Sequence, residues 1–368
     1  MVLKPGFFWS YVDEDSWEST LVPETPWPCM APKKPGSNSS LLRVKPWMNR
    51  IAFEFSHALT DGTGAWIFIR WIIGEYLGLP EEPGFPENGN AIEASFDPET
   101  WENGFRRYGK HNLPFSEPRT KAYRPSSSLL PPGNYRLITG IAPTPALIQA
   151  AKKLDLKLGE FLVAILLAAL QELVFHEQPE SRSGVGPRVL RILVPVDLRK
   201  YFPSKTLRNF FAFVAPELDL RLGRRNLDEI AHEVRWQMRG HLVPWRLLAH
   251  FSQHIKKETN PGLRIIPGFI KRFFLVLGYP LAGENKFSAS LSNLGKAEWG
   301  TLNPNPIRRV LFAPPPSPWT KTNCSVISSG DETAITFGST ARSRDLEREF
   351  FRLLVSTAHE VRITGGTR

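Results

Sequence analysis

The stretch that decides the reading of this chain is Ser56-His57-Ala58-Leu59-Thr60-Asp61-Gly62. It closes an apolar segment, Arg50 to Ser56, whose middle reads Ile51-Ala52-Phe53-Glu54-Phe55 and predicts a half-buried strand. A partner strand is predicted over 41–46, across the turn Trp47-Met48-Asn49. Beyond Gly62 and Gly64 the spacing of Ala65, Phe68, Ile69, Ile72, Ile73 and Tyr76 predicts a helix from about Thr63 to Leu77, with Pro80 just past its end. The sequence therefore puts a histidine at a strand end, ahead of a glycine-bearing turn into a helix. A side chain with an ordinary pKa near about 6.5 accepts a proton at neutral pH. Asp61 either holds the loop's shape or pairs with a distant cation. Taken alone, the same residues also fit a partly buried histidine satisfied by backbone, followed by a turn and a helix cap.

The chain around this stretch has 368 residues and a mass of 41.6 kDa. That length predicts two domains, or one fold built from two halves. With 42% hydrophobic and 22% charged residues the composition is globular. Lys and Arg outnumber Asp and Glu by 46 to 36, a net charge of +10. Such a surplus suits phosphate-bearing ligands, an anionic membrane surface or nucleic acid without selecting one. Nucleic-acid binding would rest on charge alone, with no basic helix or aromatic platform behind it, so none is expected. Cys29 and Cys324 are too few for a disulfide framework and have no zinc-ligand spacing, which predicts a reducing, cytoplasmic setting. The N-terminus lacks a basic segment followed by an apolar run and does not read as a signal peptide. The longest apolar run, Phe161 to Leu170, is shorter than the roughly 20 residues a bilayer span needs, so it predicts a buried soluble helix and no transmembrane segment.

Residues 80–134 carry nine prolines and Ser126-Ser127-Ser128, and read as a linker partly draped over the surface. They divide an N-terminal half, 1–134, from a C-terminal half, 135–368. An early strand is predicted at 7–12. In the second half strands are predicted at 135–141, 189–196, 209–219, 287–292, 307–313, 321–328 and 331–338. Helices are predicted after Thr144 as cap with Pro145 at the first position, and at 158–176, 226–242, 244–257, 262–278 and 342–361. His250 and His254 have a metal-like spacing but no partner carboxylate or thiol, and no metal site is predicted. Arg199 ends a predicted strand, where it reads equally as a solvated cation; Asn209, Ser292 and Asn293 read equally as turn or strand-end polar groups.

There is no P-loop, GxGxxG, GxSxG or HExxH. His57-x-x-x-Asp61-Gly62 between strand and helix instead resembles the HHxxxDG signature of the CoA-dependent acyltransferases, which include chloramphenicol acetyltransferase, condensation domains and alcohol O-acyltransferases. Ile192 to Arg199 with Leu207-Arg208-Asn209-Phe210-Phe211 is similar to that superfamily's P-x-x-x-R and G-N-x-x region, and Ser290-Leu291-Ser292-Asn293-Leu294-Gly295 to the SNLG strand of the alcohol acetyltransferase-like branch. The order of motifs extends the resemblance over nearly the whole chain. It departs at Ser56, which stands for the first histidine, and in having no DFGWG. Family members also carry an opening strand and helix before the segment with which this chain starts, which the resemblance reads as missing here.

The resemblance implies two α/β halves, each a mixed sheet with flanking helices, around a central channel. It implies transfer of an acyl group from a CoA or carrier thioester to an alcohol hydroxyl, with no bound cofactor. His57 is the implied catalytic base. Asp61, Gly62 and an Asp61–Arg199 pair are structural at the site, and Asn293, Ser292 and Asn209 line the channel. The implied partners are small-molecule donors and hydroxyl acceptors, or an acyl carrier protein in a condensation-like variant. A non-catalytic binding or scaffold protein on the same fold is the rival expectation.

Overall fold

The structure is a computed structural model; it describes residues 2–5, 10–13, 21–22, 29, 40–78, 98–109, 113, 120–177, 188–258, 262, 265–268, 286–299, 307–315, 317, 320–358 and 360–367. The N-terminal half begins with the antiparallel pair β1 (Val2–Pro5) and β2 (Ser10–Asp13), so the strand expected at 7–12 is described only from Ser10 onward. A second hairpin joins β3 (Leu42–Trp47) to β4 (Arg50–Phe55), and Met48 takes the left-handed conformation in its two-residue turn. Helix α1 (Gly62–Leu77) follows and ends on Gly78, whose φ of 61° gives the left-handed cap that glycine adopts without strain.

The expected linker is a correction in part. Within 80–134 the described residues carry a 3-10 turn, Pro98–Trp101, and a short helix α2 (Gly104–Tyr108), both packed onto the second half. Phe105 meets Phe210 and Phe251 edge-on at 5.3 and 5.8 Å, and Ala122 and Tyr123 are buried. Proline and charge made the segment look like a tether, while its aromatic residues anchor it.

The C-terminal half is one mixed sheet in the order β12-β5-β11-β10-β9-β6-β7, with β8 also on β6. Its strands are β5 (Arg136–Pro143), β6 (Val189–Asp197), β7 (Phe211–Val214), β8 (Glu217–Asp219), β9 (Ala289–Lys296), β10 (Thr322–Ser329), β11 (Glu332–Ser339) and β12 (Arg362–Thr367). Strands β6, β9 and β10 are parallel neighbours, and the other pairings are antiparallel. The mixed sheet thus lies in this half; among the described residues the N-terminal half contributes antiparallel hairpins.

The helices are α3 (Thr144–Lys153), α4 (Leu158–Glu177), α5 (Leu227–His241), α6 (Pro244–Glu258) and α7 (Asp345–Ala358). Helix α4 is apolar almost all round because it is surrounded: Phe161 through Leu170 are buried beneath α3, α5, α7 and β6. Length and composition alone would let it cross a membrane, but it is the central helix of the core. Alternation along the strands builds two cores. Cys324, Val326, Ile335 and Phe337 face the helices, while Ile141, Ile327 and Ala334 face the opposite side, where Trp66 of α1, Leu294, Val310 and Phe312 cover them. A buried Arg136–Glu347 ion pair at 2.8 Å ties β5 to α7.

Four further expectations are corrected. Thr144 is the first helical residue rather than the cap; Pro143 holds the cap position, and the Thr144 hydroxyl bonds Thr333 Oγ1 at 2.8 Å instead. The strand read at 209–219 is two, because Ala215-Pro216 interrupts it and proline cannot donate to the ladder. Residues 307–313 form no strand: β10, which they cross, already has β9 and β11 on its two edges. The helix read at 342–361 stops at Ala358 and gives way to β12 on the free edge of β5. The helix expected at 262–278 lies almost wholly outside the described residues.

Candidate active site

Strand β4 ends at Phe55 and the chain turns sharply over Ser56 to Thr60. The Ser56 carbonyl accepts from Leu59 N at 2.9 Å and its hydroxyl accepts from Ala58 N at 3.3 Å, so Ser56 makes the turn locally. That turn leaves His57 exposed at its tip. Asp61 then caps α1: its Oδ1 accepts from Gly64 N at 3.0 Å. The first turn of α1 needs small residues for close approach. A Cβ on Gly64 would stand 2.2 Å from Thr60 Oγ1 and 2.5 Å from the Leu207 carbonyl; one on Gly62 would stand 2.6 Å from Leu294 Cδ2, on β9.

The other side of the site comes from the end of β6 and the loop after it. Asp197 caps a 3-10 turn over Leu198–Lys200, accepting from Arg199 N at 3.0 Å. This aims the Arg199 guanidinium back across the halves. Its Nη1 donates to Asp61 Oδ2 at 2.9 Å and to Asp197 Oδ1 at 3.0 Å, its Nε to the Thr206 carbonyl at 2.9 Å, and its Nη2 to the Arg208 carbonyl at 2.6 Å. Asp61 Oδ2 also accepts from Phe210 N at 2.8 Å, and both Asp61 and Arg199 are largely buried. Two further bonds stitch the loop to this segment: Thr60 Oγ1 to the Leu207 carbonyl at 2.6 Å and Thr63 Oγ1 to Asp197 Oδ2 at 3.1 Å. Asp61 thus uses both carboxylate oxygens to hold the loop, α1 and the second half together.

Asn209 sits between these anchored residues and reaches His57 with both ends of its amide, at 2.7 Å from the His57 carbonyl and 3.1 Å from its Nδ1. The imidazole also packs against the Phe211 ring at 5.5 Å between centroids. The structure therefore brings together His57, Asp61, Gly62, Arg199 and Asn209. Asn293 and Ser292 stand apart on β9. Asn293 Oδ1 accepts from Gly295 N at 2.8 Å, and its Nδ2 lies 3.3 Å from where a Cβ on Gly159 would be, at the start of α4. The residue the sequence reading missed is Asp197. Its signal was local: an Asp two positions before an Arg at a strand end is an Asx-type cap that points the arginine.

The remaining sequence candidates fall elsewhere. His250 packs edge-on against Phe213 at 4.5 Å, and among the described residues no group of His, Cys, Asp and Glu is arranged to hold a metal ion. Arg221 and Arg224 pair with Asp219 and Glu172, so this part of the positive surplus is neutralised locally.

A mixed sheet with one helix-covered face, joined through the first turn of α1 to the β3–β4 hairpin, gives the chain the chloramphenicol acetyltransferase-like fold. It is similar to the Fusarium graminearum TRI101 structure with coenzyme A and deoxynivalenol, at a TM-score of 0.54 and 13% identity over 90% of this chain and 72% of that one. It is similar to polyketide synthase associated protein 5 from Mycobacterium tuberculosis, at 0.53 and 14% over 97% and 86%. TRI3, the trichothecene 15-O-acetyltransferase of Fusarium sporotrichioides, gives 0.50 and 11% over 87% and 70%. At these identities the likeness is one of fold. No protein-family profile and no curated protein sequence matches the chain.

Proposed function

We propose that the protein transfers an acyl group from a CoA thioester to an alcohol hydroxyl, with His57 as general base. The observation that carries this reading is an exposed imidazole on a loop whose acidic residue is consumed by a buried ion pair from the other half. A side chain held that way is free to work on a bound molecule, and its loop has a fixed shape. His57 takes the proton of the acceptor hydroxyl as the oxygen attacks the thioester carbonyl. The tetrahedral intermediate collapses, the carbon–sulfur bond breaks, and the imidazolium returns the proton to the thiolate. The oxyanion of the intermediate needs donors; the Asn293 amide is the candidate, with Ser292 and Asn209 along the channel. Two free thiols, Cys29 and Cys324, suit the cytoplasmic setting expected from the sequence.

The test is acceptor-dependent release of free thiol from acetyl-CoA and longer acyl-CoAs, against a panel of alcohols and one acyl-carrier thioester. Turnover that falls about 10²–10⁴-fold in His57→Ala supports the reading. Binding of acyl-CoA without thiol release from any donor defeats it and leaves a binding protein.

A further inference from the structure

The geometry points to Asn209 as the positioning residue that fixes which nitrogen of His57 carries the proton, leaving Nε2 as the basic atom. An amide nitrogen only donates and a peptide carbonyl only accepts. The 2.7 Å contact with the His57 carbonyl must therefore be made by Asn209 Nδ2; a flipped amide would set oxygen against oxygen. This orientation leaves Asn209 Oδ1 as the group 3.1 Å from His57 Nδ1. An amide oxygen has nothing to donate, so Nδ1 must present its N–H. A neutral imidazole has one proton to place, and Nε2 is left with its lone pair. A free histidine side chain prefers the opposite tautomer, with the proton on Nε2. Asn209 reverses that preference.

The amide is held for this task. Its preceding neighbour, Arg208, offers its carbonyl to Arg199 Nη2 at 2.6 Å, and its following neighbour, Phe210, donates its N–H to Asp61 Oδ2 at 2.8 Å. The two partners of the buried ion pair thus grip the backbone on either side of Asn209. Phe211 then limits the tilt of the ring. A carboxylate in place of the amide oxygen would favour the imidazolium, whereas a neutral amide sets the tautomer without adding charge.

The tautomer is independent of the acyltransferase reading; its catalytic consequence rests on it. The experiment uses the full chain labelled with ¹⁵N-histidine, with His57 assigned by the signal lost in His57→Ala. Long-range ¹H–¹⁵N correlation above the histidine titration reports the protonation of each ring nitrogen. The expected result is a protonated Nδ1 and an unprotonated Nε2 in the parent protein. In Asn209→Leu, which removes the acceptor at Nδ1, the proton should move toward Nε2. Where thiol release is measurable, Asn209→Leu should lower kcat about tenfold or more with the KM for acyl-CoA little changed. A parent protein with the proton on Nε2 overturns the proposal, as does an unchanged tautomer in folded Asn209→Leu; should that variant not fold, the parent spectrum decides alone. The expected tautomers in a protein with no transferase activity would uphold the inference and defeat only the acyltransferase reading.

Discussion

Removing the Arg199 charge tests whether the two halves are locked as described, and the magnitude follows from its partners. Arg199 Nη1 lies between two carboxylates, Asp61 at 2.9 Å and Asp197 at 3.0 Å. Breaking a buried pair from one side costs about 3–5 kcal/mol, because the remaining charge is left uncompensated. Arg199→Met keeps the length of the side chain and strips both carboxylates of their cation, so it should cost that much. Adding Asp61→Asn removes one of the two stranded charges, but sets the new amide nitrogen against the N–H of Gly64 or Phe210. The double variant should then lose less than the sum of the two single variants, with a coupling of about 0.5–3 kcal/mol. Recovery should be partial, because Asp197 still lacks its cation; an isolated pair would be relieved more fully. Urea unfolding followed by tryptophan fluorescence gives the midpoints and slopes for the parent, both singles and the double. Losses that add to within about 0.5 kcal/mol, or an Arg199→Met cost below about 1 kcal/mol, would refute the lock.

The glycines of α1 rank by what they face. Gly64→Ala drives a Cβ into a backbone carbonyl and should cost about 1–3 kcal/mol, whereas Gly62→Ala meets only the end of the Leu294 side chain and should cost less, as thermal melts of the two variants would show. Burial raises the thiols, Cys29 to about 11 and Cys324 further still. A thiol reagent at neutral pH should therefore leave Cys324 untouched and label Cys29 slowly in the native protein, with both reacting after denaturation; rapid native labelling of Cys324 would contradict its burial. The Arg309 side chain hydrogen-bonded to Glu332, with Arg362 close by, holds that carboxyl below its ordinary value of 4.5. A depressed folded-state value stabilises the fold above about pH 4.5, and that stabilisation is lost as pH falls through the folded-state value, so Glu332→Gln should lose this contribution at pH 7, change little in acid and so flatten the acid-side loss of stability. An unchanged acid limb would remove Glu332 from the account.

The elements legible in the sequence are those whose pattern reports their own surroundings. Helix α4 was readable because a fully surrounded helix is apolar on every side, and β10 and β11 because each alternates between the same two cores. The misreadings occur where burial and hydrogen bonding part company. Val310 and Phe312 look like strand residues because they cover the second core, yet their segment is held from outside the ladder: Tyr135 Oη donates to the Pro314 carbonyl at 2.7 Å, and the Ser325 hydroxyl to the Phe312 carbonyl. Strand β12 was missed for the converse reason. Its Gly365-Gly366 weakens strand propensity, while Gly365 allows the close approach to β5, where a Cβ would stand 2.9 Å from the Leu137 carbonyl. At the site, His57 and Asp61 were visible from local context. The partner of Asp61 was visible only through the family resemblance, because no spacing rule links residues 138 apart in the chain.

This separation explains why the site has the parts it has. The turn over 56–60 makes two short bonds of its own, too few to orient an exposed imidazole. What orients it arrives from residues 197–211, and those are braced in turn by the segment that composition read as a tether. Thr206 Oγ1 donates to the Glu102 carbonyl at 2.7 Å, Ser204 Oγ to Glu102 Oε1 at 2.6 Å, and Leu207 N to the Thr100 carbonyl at 2.7 Å. The support runs outward in layers: ring, amide, ion pair, brace. Docking of the hairpin and α1 onto the second half and orientation of His57 are therefore one structural event, since the charge that neutralises Asp61 also pins the strand of backbone carrying the amide that faces the ring.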